Sequence, residues 1–149
     1  MYTNGEGVVQ DHAEAAKWYR KAAEQGYARA QSALGFMYNT GQGVQQDFAE
    51  AEKWFRNAAE QGDAFGQSNL GFMYWLGGGV AQNYVLAHMW LNLASAHSQS
   101  DFSDYGNLAD IIYELTKSNA DRRDELAKKM TADQIAEAQQ LAREWKPAK

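Results

Sequence analysis

The stretch Gly41-Gln-Gly43-Val44-Gln-Gln-Asp47, followed by Ala51-Glu-Lys-Trp54-Phe55-Arg-Asn-Ala58, decides the fold of this 149-residue chain. The same pattern stands 36 residues earlier and 36 residues later. Residues 1–36 and 37–72 are identical at 24 of 36 positions, whereas residues 37–72 and 73–108 are identical at 9. A repeat of this length predicts a solenoid, in which neighbouring units bury their apolar faces against one another. The recurring structural residues are Trp18, Trp54, Trp90, Gly41, Gly43, Gly77 and Gly79.

Each unit is predicted to consist of two helices. The first helix spans about residues 28–39 in one unit and 64–75 in the next, and the second helix follows the glycine turn. Alanine and aromatic residues of the second helix recur at i, i+3, i+4 and i+7, which is the spacing of one buried helical face. The sequence therefore predicts an all-α protein, an α/α superhelical solenoid with a 36-residue period and a helical C-terminal cap.

Short polar residues and glycines mark where these helices begin and end. Asp11, Asp47 and Asn83 precede the second helices, and aspartate or asparagine there can accept a hydrogen bond from a free backbone N–H. Glu14 and Glu50 complete a pattern that resembles a capping box after the first two of them. Two glycines stand where a helix C-terminus favours a left-handed residue, Gly26 and Gly62.

The repeats are expected to fill residues 1–97, with units at about 1–36, 37–72 and 73–97. Met1-Tyr2 aligns with Met37-Tyr38 at the end of a first helix, so the first unit is expected to lack its first helix. A Ser-rich loop is predicted over 95–103, within a divergent loop and helix insert at 98–118 whose helical pattern resumes near Asn107. Capping helices are expected over 119–149, the last opening with a capping box at Thr131 and Gln134.

The repeat resembles the Sel-1-like repeat family, a bacterial-type relative of the tetratricopeptide repeats. Three segments carry the resemblance, which covers residues 1–97: Leu34-Gly35-Phe36-Met37-Tyr38, the turn from Gly41 to Asp47, and the helix from Ala51 to Gly62. The ending from Met130 to Trp145 is similar to the closing helix of many bacterial members. Membership implies a scaffold or adaptor that binds other proteins, without naming the partner.

The sequence offers little for catalysis. Cysteine is absent, which excludes thiolate nucleophiles and Cys-ligated metals. The three histidines, His12, His88 and His97, show no metal-ligand spacing. The run Gly77-Gly78-Gly79 lacks the Lys of a phosphate-binding loop. We therefore expect no enzyme activity, no metal and no cofactor, with an enzyme of cell-wall or β-lactam-related chemistry kept as the alternative.

A partner is expected on the surface formed by the first helices, which usually line the concave face of such a solenoid. The pair Trp75-Leu76 is the sharpest candidate, because it stands where the preceding unit has Asn39-Thr40 and the first has Thr3-Asn4. Aromatic residues such as Trp75 dominate interface hot spots. The alternative role of Trp75 is to pack beneath the insert at 98–118. The candidate partner-binding residues are Gln31, Asn39, Phe65, Gln67, Asn69 and Trp75.

Charge and hydropathy limit the kinds of partner. The net charge of −5 lies wholly within residues 37–108, which favours a basic or an aromatic and polar partner segment and disfavours nucleic acid. No apolar run is long enough for a membrane span. No signal peptide is visible, so the sequence as written predicts a cytoplasmic protein, or a periplasmic or secreted one if its N-terminus is truncated. Self-association through the open N-terminal edge is a further alternative.

Overall fold

The computed structural model describes the backbone of residues 5–97 and 119–148, with side chains from residue 11 onward. Across these ranges it contains no strand and seven helices, none of them long and apolar enough to cross a bilayer. The helices are α1 (Gly5–Glu24), α2 (Ala28–Thr40), α3 (Phe48–Glu60), α4 (Ala64–Leu76), α5 (Tyr84–His97), α6 (Asn119–Ala127) and α7 (Ala132–Glu144).

The helices pack in chain order, which makes an α/α solenoid. Each helix from α1 to α5 packs against the next, and α2 also contacts α4, the corresponding helix of the following unit. Both α6 and α7 pack on α5. The predicted all-α repeat fold is confirmed, and the first helices of the two later units lie within one residue of their expected bounds.

The turn glycines have two separate structural roles. Gly41 ends α2 with a left-handed backbone (φ 76°), and its N–H donates to the Met37 carbonyl over 2.8 Å. Gly43 is also left-handed (φ 74°), but a Cβ placed there would lie 2.3 Å from the His12 carbonyl oxygen. The second glycine thus lets the turn approach the backbone of the preceding unit. Gly77 and Gly79 repeat these roles, Gly79 lying against the Phe48 carbonyl, one period after His12.

Helix caps follow the sequence pattern at three of the predicted sites. The Asn83 Oδ1 atom accepts a hydrogen bond from the Leu86 N–H over 3.1 Å at the start of α5. The Asp47 carboxylate accepts hydrogen bonds from the N–H groups of Ala49 and Glu50. Thr131 and Gln134 form the complete capping box before α7. Each such cap stabilises its helix by about 1 kcal/mol.

The predicted cap at Asp11 is wrong, because α1 begins at Gly5 and already contains Asp11. In the next unit the turn is tied to α2: the Gly41 N–H donates to Met37 and the Asp47 N–H donates to the Tyr38 carbonyl. In the first unit the corresponding segment, from Gly5 to Asp11, lies within α1. Its backbone groups are satisfied within α1 instead.

The core is continuous along the described repeats. One cluster joins Phe36, Phe55, Phe65 and Leu70 with Trp90, and another places Trp54 among small and aliphatic residues of α1 and α2. Trp54 and Trp90 are each only 6% exposed, as expected for core residues. Trp18 departs from this expectation, because 66% of its surface is exposed and no helix covers its outer side in the described residues.

The C-terminal helices cover the far end of the solenoid. The Trp145 ring packs edge-on against Trp90, with ring centroids 6.2 Å apart, and lies 5.8 Å from the His97 ring. The Ala148 N–H donates to the Glu60 carbonyl over 2.6 Å, which ties the chain end back to α3. The helix α5 continues through His97, so the predicted loop is wrong for residues 95–97. The remainder of the predicted insert, including the helix near Asn107, lies outside the described residues.

Candidate protein-interaction groove

Two of the predicted partner-binding residues, Gln31 and Gln67, are buried and make equivalent hydrogen bonds. The Nε2 groups of Gln31 and Gln67 donate to the carbonyls of Ala23 and Ala59, each over 3.2 Å. Gln61 Nε2 donates to Gln31 Oε1 over 2.8 Å, and one period later His97 Nδ1 lies 2.9 Å from Gln67 Oε1. These hydrogen bonds join each first helix to the second helices on both of its sides. Both glutamines are therefore structural and unavailable to a partner at the surface.

Phe65 is also closed off from solvent. Its ring lies 5.7 Å from Phe36 and packs edge-on against Phe55 at 6.1 Å between centroids. It is fully buried at the centre of the main cluster. The structure thus corrects the expectation that Phe65 faces a partner, because three aromatic rings fill the space between α2, α3 and α4.

Asn39 and Asn69 do meet at the surface, where they line a groove of about 300 Å³. The other side chains of this groove are mainly apolar, and two of them are well exposed: Leu76 at 76% and Phe48 at 48%. We call this surface the α2–α4 groove; its lining is Asn39, Phe48, Phe55, Asn69, Phe72, Met73, Leu76 and Gly78.

The two asparagines of the groove take part in different hydrogen bonds. The Asn69 Nδ2 group donates to the Phe65 carbonyl over 2.9 Å, within its own helix, which orients the side chain. The Asn39 backbone carbonyl accepts from Gln46 Nε2 over 2.9 Å, which fixes the turn beside the groove. The groove therefore presents amide groups on a backbone held in place by local bonds.

Trp75 lies beside this groove and is half-buried. Its ring stacks on Phe72, with centroids 5.9 Å apart and planes inclined by 4°. It also packs against a cluster formed by Ala87, Leu91 and Leu126. The Arg122 guanidinium lies 4.5 Å above the Phe72 ring from α6. Trp75 thus supports the wall of the groove, and packing against the insert at 98–118 lies outside the described residues.

The candidates found in the sequence include Leu76, beside Trp75, but not Phe48 or Phe72, which also line the groove. Phe72 stands one period after Phe36, which is a core residue, so the repeat pattern contains no signal for its place in the groove. Phe48 stands where the first unit has His12, and Leu76 stands where the second unit has Thr40. An apolar residue that replaces a polar one at the same position of the period is the signal that singles out Leu76, and it was also available for Phe48.

The described residues contain no group of three histidine or acidic side chains placed to hold a metal ion. His97 is engaged with Gln67 and Trp145. His88 is buried on α5, and its Nδ1 has no hydrogen-bond partner among the described residues. Burial, together with the Arg123 guanidinium, lowers the pKa of His88 below its ordinary value. A desolvated neutral imidazole of this kind is a packing residue of α5.

The fold and the groove define a class: a helix-pair repeat solenoid with an apolar surface groove. The sequence model of the Sel1 repeat matches residues 1–27, 28–63 and 64–98. The chain belongs to the Sel1 repeat family. Sel1 repeats generally serve as scaffolds for protein interactions, and solenoids of this kind are typically not enzymes.

The solved structures that are similar to the chain include two repeat proteins. One is a protective antigen of uropathogenic Escherichia coli strains that displays an SLR fold, with 34% identity, a TM-score of 0.67 and 90% of this chain covered. The other is a Sel1 repeat protein from Oxalobacter formigenes, with 33% identity, a TM-score of 0.56 and 87% covered. The chain spans 25% of the first protein and 54% of the second. Among curated proteins, none matches the sequence.

Proposed function

We propose that the chain is a protein-interaction scaffold whose α2–α4 groove binds a peptide segment of a partner protein. The observation that carries this proposal is the exposure of Leu76 and Phe48 around a groove that also holds the amides of Asn39 and Asn69. Apolar side chains in water favour burial at about 25 cal/mol per Å² of apolar area removed from solvent. Amide groups beside them can accept and donate to a peptide backbone.

The chemistry of the groove suggests which peptide fits. An apolar side chain of the partner would enter between Phe48, Phe72 and Leu76, as anchors do in interface pockets. The charge of the repeats adds a preference, because residues 37–108 carry the entire net charge of −5. A partner segment with basic residues flanking an apolar or aromatic anchor is therefore favoured over an acidic one.

Selection from a peptide library, followed by affinity measurements on single peptides, tests this function. We expect Leu76→Ser and Phe48→Ser to weaken binding of the selected peptides by about tenfold or more. Tyr27→Ser is the matched control, because Tyr27 is exposed outside the groove lining. Selected peptides whose affinity ignores both groove substitutions, or a failure to select any binder, would contradict the proposal.

A further inference from the structure

A second concavity opens at the start of α3. It has a volume of about 630 Å³ and lies between α1, α2 and the turn that precedes α3. We call it the Glu50 cavity and define it by five residues of its lining, Arg20, Tyr38, Gln46, Asp47 and Glu50. One guanidinium group therefore stands with two carboxylates, which gives the cavity an excess of negative charge.

The arginine of this cavity is held by a tyrosine and not by a carboxylate. Arg20 donates to the Tyr38 hydroxyl, and its guanidinium carbon lies 5.6 Å from the centre of the Tyr38 ring. Arg20 makes no ion pair with any residue that the structure describes. One period later, Arg56 donates to the Tyr74 hydroxyl over 2.9 Å, so the arginine–tyrosine pair is a feature of the repeat.

The next unit shows the same arginine with its charge balanced inside the chain. Arg56 forms an ion pair with the Glu52 carboxylate, four residues earlier in α3. One period before Glu52 stands Ala16, so α1 has no acid at the position that would pair with Arg20. The charges beside Arg56 are consequently paired, whereas those of the Glu50 cavity are not.

The carboxylate of Glu50 is not used by the described part of the chain, where it accepts no hydrogen bond and makes no ion pair. Asp47 caps α3, but both of its cap hydrogen bonds reach Oδ1, which leaves Oδ2 for another donor. One period later these two positions are Asn83, which keeps the cap, and Leu86, which has no charge. A second helix of this repeat can therefore begin without an acid at the position of Glu50.

The Glu50 cavity adjoins the α2–α4 groove. Asn39 and Phe48 line the groove, and their chain neighbours Tyr38 and Asp47 line the cavity. Gln46 of the cavity also donates to the Asn39 carbonyl beside the groove. In an extended peptide, residues one or two positions apart are separated by about 3.5–7 Å. A peptide with an apolar anchor in the groove therefore brings a nearby side chain to the cavity.

We propose that the Glu50 cavity binds a lysine or arginine side chain of the partner peptide, one or two positions from the apolar anchor. This inference rests on the proposed function, because the anchor in the α2–α4 groove brings the basic residue to the cavity. Ammonium and guanidinium groups donate hydrogen bonds and accept none, which matches the free carboxylate oxygens of Glu50 and Asp47. One basic side chain also cancels the excess negative charge, and such complementarity selects among partners.

The probes for this inference are the peptides that selection on the whole chain yields. We expect each to carry Lys or Arg within two positions of its anchor, the apolar residue whose replacement by alanine costs the most affinity. Glu50→Lys should weaken their binding by about tenfold or more, because a like charge replaces an opposite one. A peptide whose basic residue is replaced by glutamate should show the reverse preference and bind Glu50→Lys more tightly than the unchanged chain.

Glu60→Lys is the matched control, because it changes the net charge by the same amount. Glu60 is exposed near the other end of α3, ten residues and about 15 Å from Glu50. At about 0.15 M salt, where charges are screened over about 8 Å, Glu60→Lys should change the affinity by less than about twofold. Glu50→Gln removes the charge at nearly constant size and should weaken binding by about threefold. Circular dichroism and urea denaturation check that each variant keeps its fold.

The inference is overturned if the selected peptides have no basic residue beside the anchor, if the two lysine variants weaken binding equally, or if the glutamate peptide does not prefer Glu50→Lys. Peptides that lose affinity with Leu76→Ser and ignore Glu50→Lys would leave the α2–α4 groove as the binding site and refute only the role of the Glu50 cavity. If selection yields no binder, the proposed function and this inference fail together.

Discussion

Replacing Gly43 with alanine gives the most specific stability prediction, because Gly26 and Gly41 serve as matched controls. Gly26, Gly41 and Gly43 are all left-handed, with φ of 96°, 76° and 74°. A Cβ at Gly26 would have no atom within 4 Å, and one at Gly41 would make an ordinary contact of 3.4 Å with Gln46. A Cβ at Gly43 would lie 2.3 Å from the His12 carbonyl oxygen.

The three alanine variants therefore share one cost and differ in another. Placing an L side chain in the left-handed region costs about 1–2 kcal/mol at each of the three positions. At Gly43 the backbone of α1 must also move, and relieving such overpacking adds about 1–3 kcal/mol. We expect Gly43→Ala to lower the free energy of unfolding by about 2–5 kcal/mol, and the two control variants by about 1–2 kcal/mol.

Urea denaturation followed by circular dichroism at 222 nm measures this difference, with midpoint and slope fitted for each variant. Hydrogen exchange adds a local readout, because the turn holding Gly43 touches α1 at His12 and Ala13. Its displacement should speed exchange in α1 more than in α5. Equal destabilisation by Gly41→Ala and Gly43→Ala would refute the argument that the second glycine is required for close approach.

Two further predictions concern buried polar groups. Ser68→Ala removes the 2.7 Å hydrogen bond from Ser68 Oγ to the buried Asn119 Oδ1 and should lower the free energy of unfolding by about 1–3 kcal/mol in the same urea assay. The double variant with Asn119→Leu should recover part of this loss. Strictly additive effects of the two substitutions would contradict the pairing of Ser68 with Asn119. Burial lowers the pKa of His88 in the folded state. As the pH falls below about 6.5, the His88 imidazole is therefore protonated in the unfolded state before it is protonated in the folded state. The free energy of unfolding should consequently decline from about pH 6.5 until the folded-state pKa is reached. His88→Gln should flatten the dependence of Tm on pH between about 7 and 5.5, and an unchanged slope would exclude His88 as its source.

The sequence predicted the repeat architecture well because several local signals agree in each unit. Three signals indicate the same helix boundaries: the apolar face containing Trp54, the cap at Asp47, and the glycine directly after Met37-Tyr38-Asn39-Thr40. Agreement between propensity, capping and periodicity is what makes such a fold specific. Each of these signals depends on neighbours within a few residues, so a single sequence contains all the information they need.

Surface exposure was harder to predict, because it depends on helices distant in the chain. The first helices α2 and α4 each contact second helices of two units and also each other. Most of their surface is consequently buried, so residues such as Gln67 and Phe65 bond or pack inside the protein. Gln31 recurs as Gln67 because each side chain donates a hydrogen bond to the backbone of the preceding second helix, at Ala23 and Ala59. The identity of the two residues between units does not by itself reveal this structural role.

One sequence pattern adopts two structures within this chain, and the difference shows what the turn requires. Residues 5–11 and 41–47 share two glycines, a valine, a glutamine and the final aspartate, yet the first segment is helical and the second is a turn. Helical bonds are available to both segments. The second segment follows α2, whose Met37 and Tyr38 carbonyls accept its N–H groups. The glycines therefore permit the turn at 41–47, and hydrogen bonds to the end of α2 hold it in place.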